Sequence, residues 1–511
     1  MNRQPRLLPI WLGVLLSIAG GLGLFWARPA EKTLVLGDGC RTPVRVLGAA
    51  AGPVPVAVVF HGFGASAAIM EPLGESLAES GWRVYLPDLA GHGRSREPFS
   101  YARVDRCAAA AVEFLVRSGR IVPARTVFIG HSLGAAVVIR LARTLPVAAT
   151  VAISPALVVP PKRTPPNLLI LAGQFDLGPV KQTARQLLGD AGGAREGPED
   201  FARGRAVALR ILSGELHGTI VLDPRTWKDV LGWAHRAVAS GTPPSAASAP
   251  GSHPIGRPLA ALLSNFALLA GMALLVVPAL AALARLFRLD SAGAKETEAP
   301  LAWKRVLGFW AVAAFFGVTV AGLTRISQFV RPVQLEDGDW VALVALLTGL
   351  LLLILLGKSI GKELSANPGW LNFAIIAGLV LVALFSWAMR PELVESTLAG
   401  ARLWRWAGLA GFTAPYFWAE EAALGPPGRK NRFLVFLAMR GLLFLAQVFA
   451  VLIFWPRGLL IVLLVIGLGI ISIGQRLLAD ALRRRVAGAP AAAVLDAILA
   501  AGTLALVLPL I

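Results

Sequence analysis

The sequence predicts an α/β domain built on a doubly wound, mostly parallel sheet, joined to an all-α domain of several membrane spans. Three observations predict it. Residues 30–245 alternate short Val- and Ile-rich runs with helical stretches, the pattern of a parallel sheet covered by helices on both faces. From about residue 255 onward, long apolar runs dominate. One further apolar run, Leu7 to Trp26, follows Arg3 and Arg6. A chain of 511 residues is also long for one domain.

Composition agrees with a membrane protein. The chain is 56% hydrophobic and 15% charged, with mean hydropathy +0.66. Soluble domains carry roughly 25% charged residues. The expected organisation is an N-terminal signal anchor at 1–29, the α/β domain at 30–239, a Ser-, Ala- and Pro-rich flexible linker at 240–258, and a polytopic helical domain at 259–511.

The first run has about the ~20 residues that cross a bilayer. A signal peptide starts the same way, but Phe25-Trp26-Ala27-Arg28-Pro29-Ala30 lacks a clean small-x-small cleavage site. An uncleaved anchor is therefore expected, with Arg3 and Arg6 inside and the α/β domain exported. Further spans are expected at about 259–284, 305–325, 339–357, 370–389, 398–419, 433–455, 457–475 and 489–511. Their topology is self-consistent. With the α/β domain outside, the turns holding Arg285/Arg288/Lys304/Arg305, Lys358/Lys362, Arg429/Lys430/Arg432 and Arg483/Arg484/Arg485 all fall inside. The acidic Glu336-Asp337-Gly338-Asp339 turn falls outside. The expected location is the inner or plasma membrane, with the α/β domain on the extracytoplasmic side.

The net charge of +19 is what cytoplasmic loops of a membrane protein collect. No basic run is interleaved with aromatics on a soluble surface, so a nucleic-acid partner is not expected. A basic domain at a bilayer would favour anionic headgroups. The two cysteines, Cys40 and Cys107, lack the C-x-x-C spacing of a zinc site. Either they pair in an oxidising compartment, or they pack as buried thiols. No histidine follows His253, which excludes a histidine-based metal site in the helical domain. No metal or cofactor is expected.

Strands are expected at Thr33–Leu36, Pro43–Leu47, Val54–Phe60, Trp82–Leu86, Thr126–Gly130, Ala149–Ser154, Asn167–Gly173 and Ala206–Leu212. Helices are expected at Ala108–Val116 and Ala135–Thr144. Ligands bind parallel sheets beyond the carboxyl ends of their strands, so motifs there carry most weight.

Gly130-His131-Ser132-Leu133-Gly134 stands at one such end, between a strand and a helix. A nucleophile on a tight, strained turn needs flanking residues without side chains. Ser132 is the expected nucleophile. Asp176 follows the strand 167–173, and His217 follows 206–212. His217 would be the general base, and Asp176 would hold its tautomer. Glu215 is a weaker candidate for that partner. Backbone N–H groups of Phe63 and Leu133 would form the oxyanion hole. His61, His92 and His131 are expected to be structural histidines that bond loop backbone.

His61-Gly62-Phe63-Gly64, Asp88-Leu89-Ala90-Gly91-His92-Gly93-Arg94-Ser95, Gly130-His131-Ser132-Leu133-Gly134, Asp176 and His217 together resemble the α/β-hydrolase superfamily. The resemblance covers about a third of the chain. It implies cleavage of esters, thioesters or amides through an acyl-enzyme, acting on an acyl-containing small molecule or lipid. Asp176 lies 44 positions after Ser132, and that interval already holds a helix and a strand. It leaves no room for the lid that many relatives insert, so an open site suited to lipid or envelope substrates is expected. Two other readings stay open: a membrane transporter or scaffold whose hydrolase-like domain only binds, and an acyltransferase using the same triad.

In the helical part, Phe417-Trp418-Ala419-Glu420-Glu421 resembles the paired glutamates of intramembrane prenyl-protein proteases. The partner histidines are missing, so no activity is carried over. Arg325, Glu392, Glu395, Glu420 and Glu421 are expected to be interfacial or snorkelling residues near span ends.

Overall fold

The computed structural model describes residues 7–27, 32–36, 39–48, 54–156, 163–240, 256–286, 289, 302–324, 329–357, 368–389, 400–427, 429–454, 459–484 and 489–511. Most of the expected linker (241–255), together with Arg288, Arg325, Lys358, Lys362, Glu392, Glu395 and Arg485, lies outside the described residues. The chain divides into two compact units. One comprises Leu15–Ala270, Ala388–Ser396 and Pro509–Ile511, and the other Met1–Val14, Gly271–Trp387 and Thr397–Leu508.

The first unit holds an eight-stranded sheet: β1 (Lys32–Leu36), β2 (Thr42–Leu47), β3 (Val56–Phe60), β4 (Arg83–Pro87), β5 (Thr126–His131), β6 (Ala149–Ile153), β7 (Leu168–Gly173) and β8 (Val207–Leu212). Their order across the sheet is β1-β2-β4-β3-β5-β6-β7-β8. Pairs β1/β2 and β2/β4 are antiparallel, and every later pair is parallel.

The central strands are apolar throughout because both faces are covered. Along β3, Ala57 and Val59 enter one core layer with Trp227 and Trp233. Val58 and Phe60 enter the opposite layer with Leu133 and Val137. That alternation is the period-2 geometry of a strand. Between the strands lie α2 (Glu71–Glu79), α3 (Tyr101–Arg117), α4 (Leu133–Leu141), α5 (Gly178–Asp190) and the short α6 (Pro198–Ala202), and α7 (Pro224–Ser240) follows β8. Leu73 and Leu77 of α2 pack with Val230 and Leu231 of α7 on one face. Val104 and Ala108 of α3 pack with Val137 and Val138 of α4 on the other.

All eight expected strands are present, within two residues at each end. The helices start earlier than their apolar stripes. Helix α3 begins at Tyr101, not Ala108, because Ser100 caps it by accepting the Arg103 N–H at 3.1 Å. Helix α4 begins at Leu133, directly after the nucleophile turn.

The N-terminal run forms helix α1 (Leu7–Ala27). The eight apolar segments beyond residue 255 are helices α8 (Gly256–Leu286), α9 (Trp303–Thr324), α10 (Gly338–Leu356), α11 (Pro368–Met389), α12 (Ala401–Leu424), α13 (Arg432–Phe454), α14 (Leu459–Arg483) and α15 (Pro490–Val507). Among the described residues, seven helices are long and apolar enough to cross a membrane: α1, α8, α9, α10, α11, α13 and α15. That is the pattern of an integral membrane protein. Helix α12 is not among the seven, and it carries Arg402, Arg405, Glu420 and Glu421.

Candidate active site

Strand β5 ends in the motif that the sequence singles out. Ser132 sits at φ 54°, ψ −111°, a left-handed backbone that a non-glycine residue holds only when its surroundings over-determine it. Two glycines permit the turn. A Cβ at Gly130 would fall 2.1 Å from the Gly134 carbonyl oxygen, and one at Gly134 would fall 2.4 Å from the Phe60 oxygen. The Ser132 N–H is tied back to the Ile153 carbonyl of β6 at 2.9 Å.

The structure brings Ser132, His217 and Asp176 together from three strand ends. His217 Nε2 lies 2.9 Å from Ser132 Oγ, and His217 Nδ1 lies 2.6 Å from Asp176 Oδ1. With Nδ1–H donated to the carboxylate, Nε2 is left to accept the serine proton. Glu215 is engaged elsewhere: Arg225 donates to it at 3.1 Å and Thr219 at 2.7 Å.

Asp176 is buried. Its Oδ2 accepts from Ser154 Oγ at 2.6 Å and from the Gly173 N–H at 2.8 Å. Burial alone pushes this carboxyl up. The hydrogen bonds from His217 and Ser154 outweigh burial and hold it below its usual value. Ser154 is a site residue that sequence reasoning missed. Its only signal was a hydroxyl at the carboxyl end of β6, one strand from the nucleophile.

The other two expected residues flank the same point. Leu133 is the first residue of α4, where N–H groups have no intrahelical partner. Phe63 lies on the turn after β3. That loop passes close to the nucleophile, since a Cβ at Gly62 would fall 3.1 Å from Ser132 Cβ.

The histidines around the site bond backbone. His61 Nδ1 donates to the Gly62 carbonyl at 2.7 Å, and its Nε2 accepts from the Leu89 N–H at 3.0 Å. This ring joins the β3 loop to the β4 loop. Burial keeps it below its ordinary value and neutral. His92 Nδ1 bonds the Ala90 carbonyl at 2.9 Å, and His131 Nε2 bonds the His217 carbonyl at 2.8 Å. Asp88 anchors this neighbourhood by accepting from the Ala67 N–H at 2.8 Å and from Arg94 at 3.2 Å.

Residues 52–190 match the family described as Serine aminopeptidase, S33. The match contains β3, the strained serine turn and Asp176. The sheet order, with its antiparallel edge and parallel remainder, fits the same fold. This unit carries an α/β-hydrolase domain. A protein of Mycobacterium phage D29 under the name non-heme haloperoxidase is 35% identical over 116 residues, which make up 23% of this chain and 39% of that protein. The chain thus spans about two-fifths of the length of the curated relative it matches. Among solved structures, a bacterial membrane phospholipase A is 15% identical, covering 45% of this chain and 93% of its own, with TM-score 0.33. A carboxylesterase from Nitrososphaera gargenis is 14% identical, covering 41% and 100%, with TM-score 0.32.

Cys40 and Cys107 form a disulfide that ties the start of β2 to α3 of the α/β-hydrolase domain. Glu97 lies beside the two sulfurs. With both sulfurs bonded to each other, the group offers no thiolate to a metal.

In the helical unit, the structure corrects the interfacial reading of Glu420 and Glu421. Both are fully buried. Arg440 reaches Glu420 at 2.7 Å, and Tyr416 donates to it at 3.3 Å. Glu421 is paired with Arg476, with Arg432 at 3.3 Å and with Arg483 at 3.7 Å. Asp480 joins Arg432 at 3.0 Å and Arg476 at 2.8 Å. Sequence position placed these glutamates near a helix end. It did not reveal that arginines from α13 and α14 converge on them.

Proposed function

We propose that the chain is a membrane-anchored serine hydrolase that cleaves ester, thioester or related acyl bonds at Ser132, with its α/β-hydrolase domain on the extracytoplasmic side. The observation that carries this reading is the His217 ring, bonded to Ser132 on one nitrogen and to Asp176 on the other. His217 Nε2 takes the Ser132 proton as Oγ attacks the acyl carbon. The carbonyl oxygen becomes an oxyanion facing the N–H groups of Phe63 and Leu133, and one such donor is worth roughly 3–4 kcal/mol in the transition state. The tetrahedral intermediate collapses, and the alcohol or thiol leaves with the proton from His217. Water, deprotonated by His217, then attacks the acyl-Ser132 ester and releases the acid. Asp176 stays ionised throughout and stabilises the imidazolium.

Two features support the placement. Arg3 and Arg6 precede the first span, which favours export of the domain behind it. The Cys40–Cys107 disulfide suits an oxidising compartment. The short interval between Ser132 and Asp176 supports an open site, compatible with acyl groups presented by a lipid.

A fluorophosphonate probe tests the reading on the full-length protein in detergent. Wild type is expected to label and Ser132→Ala is expected not to. Folded wild type that does not label would overturn the proposal.

A further inference from the structure

His131 precedes the nucleophile and is the last residue of β5. Its ring is buried. Nε2 lies 2.8 Å from the backbone oxygen of His217. A carbonyl only accepts, so Nε2 carries the hydrogen. The two imidazoles lie 5.1 Å apart, tilted by 46°. On its other side the ring faces the β3 loop, where a Cβ at Gly62 would fall 2.8 Å from His131 Nδ1. Only glycine leaves room there for the ring.

The need for such a bond follows from the sheet order. His217 follows β8, and two strands, β6 and β7, separate β8 from the β5 elbow. The loop that carries the base must cross both. Among the described residues, its other backbone ties reach toward β7, toward α7 or within the loop itself: Phe175 N–H to the Glu215 carbonyl at 2.9 Å, Gly214 N–H to Gln174 at 2.9 Å, the Arg225 guanidinium to the Ser213 carbonyl at 2.9 Å, and Leu216 N–H to Thr219 at 3.0 Å. The His131 bond attaches the His217 peptide to the strand that bears the nucleophile.

We infer that His131 is a positioning residue, a neutral imidazole whose Nε2–H holds the His217 backbone so that the base stays over Ser132. Neutrality matters to this role. A cation 5.1 Å from His217 would oppose the imidazolium formed in each half-reaction. Burial and the neighbouring His217 push His131 down to about 3, so it donates without adding charge. A displacement of about 1 Å at a reacting group costs on the order of 100-fold in rate.

The inference rests on the Ser132 reading, and the experiment separates the two. The full-length protein is assayed on p-nitrophenyl butyrate as wild type, Ser132→Ala, His131→Leu, His131→Asn and His131→Gln. Glutamine places an amide N–H near the Nε2 position, asparagine is too short to reach, and leucine has no donor. His131→Leu and His131→Asn are expected to lose about 10- to 100-fold in kcat with KM little changed. His131→Gln is expected to recover to within a few-fold of wild type. If His131→Leu fails to fold, the comparison of Asn with Gln decides alone. Wild-type kcat in the folded Leu or Asn variant, or a Gln variant as impaired as they are, overturns the positioning role. An inactive wild type that also resists the fluorophosphonate overturns the hydrolase reading instead.

Discussion

Ser154 Oγ donates to Asp176 Oδ2 across 2.6 Å, from the strand beside the one that bears Asp176. With the Gly173 N–H on the same oxygen at 2.8 Å, Oδ1 is left free to face His217. This fixes the carboxylate plane and favours its charged form. Ser154→Ala is expected to raise the Asp176 pKa and lower kcat by about tenfold. It also removes a buried hydrogen bond, which costs about 1–3 kcal/mol. Steady-state kinetics with thermal melting checks this, and unchanged values on both counts would refute the assigned role.

Asp176 and Glu215 compete on paper as the partner of His217, since both lie close to it in the loops. The distances favour Asp176, and Glu215 has its own partners in Arg225 and Thr219. Asp176→Asn should therefore lower kcat on the order of 10⁴-fold. Glu215→Gln breaks only an ion pair with an exposed arginine and should change kcat little. Equal losses in the two variants would mean that the orienting acid is misassigned.

Most of the α/β-hydrolase domain was legible in the sequence because a parallel sheet writes itself as short apolar runs, and β3 and β7 are of that kind. The Gly-x-Ser-x-Gly turn was legible because backbone strain demands glycine at fixed positions. Ser154 and the His131–His217 bond were not, because each depends on which strands become neighbours, and sequence spacing does not encode that order. The start of α3 was misplaced for another reason. Its first five residues include Tyr101, Arg103 and Asp105, so the apolar stripe begins one to two turns after the Ser100 cap. Burial of Glu420 and Glu421 was hidden because helix-end charge usually reaches solvent, and their arginines come from α13 and α14, up to 62 positions away.

The buried His131 makes a prediction about acid stability. Its value falls from an ordinary 6.5 to about 3 in the fold. Below pH 6.5 the unfolded chain therefore takes up a proton that the folded chain refuses, and stability is lost as pH falls through that window. Between pH 6.5 and 5 the loss from this group is about 2 kcal/mol. Asp176, held below its ordinary value, adds a further loss as the pH falls below about 4. Thermal melts should show a falling Tm from pH 7 to pH 5 that is shallower in His131→Gln. Parallel slopes would mean that His131 does not resist protonation.

The disulfide bears on both stability and side. Cys40 and Cys107 are separated by 67 positions, and closing a loop of that length stabilises by about 4 kcal/mol in the chain-entropy account. Cys40→Ser with Cys107→Ser should lower the Tm of the α/β-hydrolase domain markedly. In cells, thiol-alkylation mass shifts should find the wild-type pair oxidised if the domain is extracytoplasmic. Two free thiols in freshly lysed cells would count against export.

Glu421 is the hub of the buried ionic network in the helical unit, facing Arg432, Arg476 and Arg483. A buried ion pair adds little net stability, yet breaking one leaves an uncompensated charge that costs about 3–5 kcal/mol. Glu421→Gln is therefore expected to destabilise this unit strongly, read as early aggregation on heating in detergent. Removing its partner at the same time tests the cause. If the cost is the stranded charge, Glu421→Gln with Arg476→Gln should be more stable than Glu421→Gln alone, a non-additivity that contacting groups show. Asp480 limits the rescue, because Arg476 also bonds it at 2.8 Å. A double variant at least as unstable as the summed single losses would show that the network acts through packing and not through charge balance.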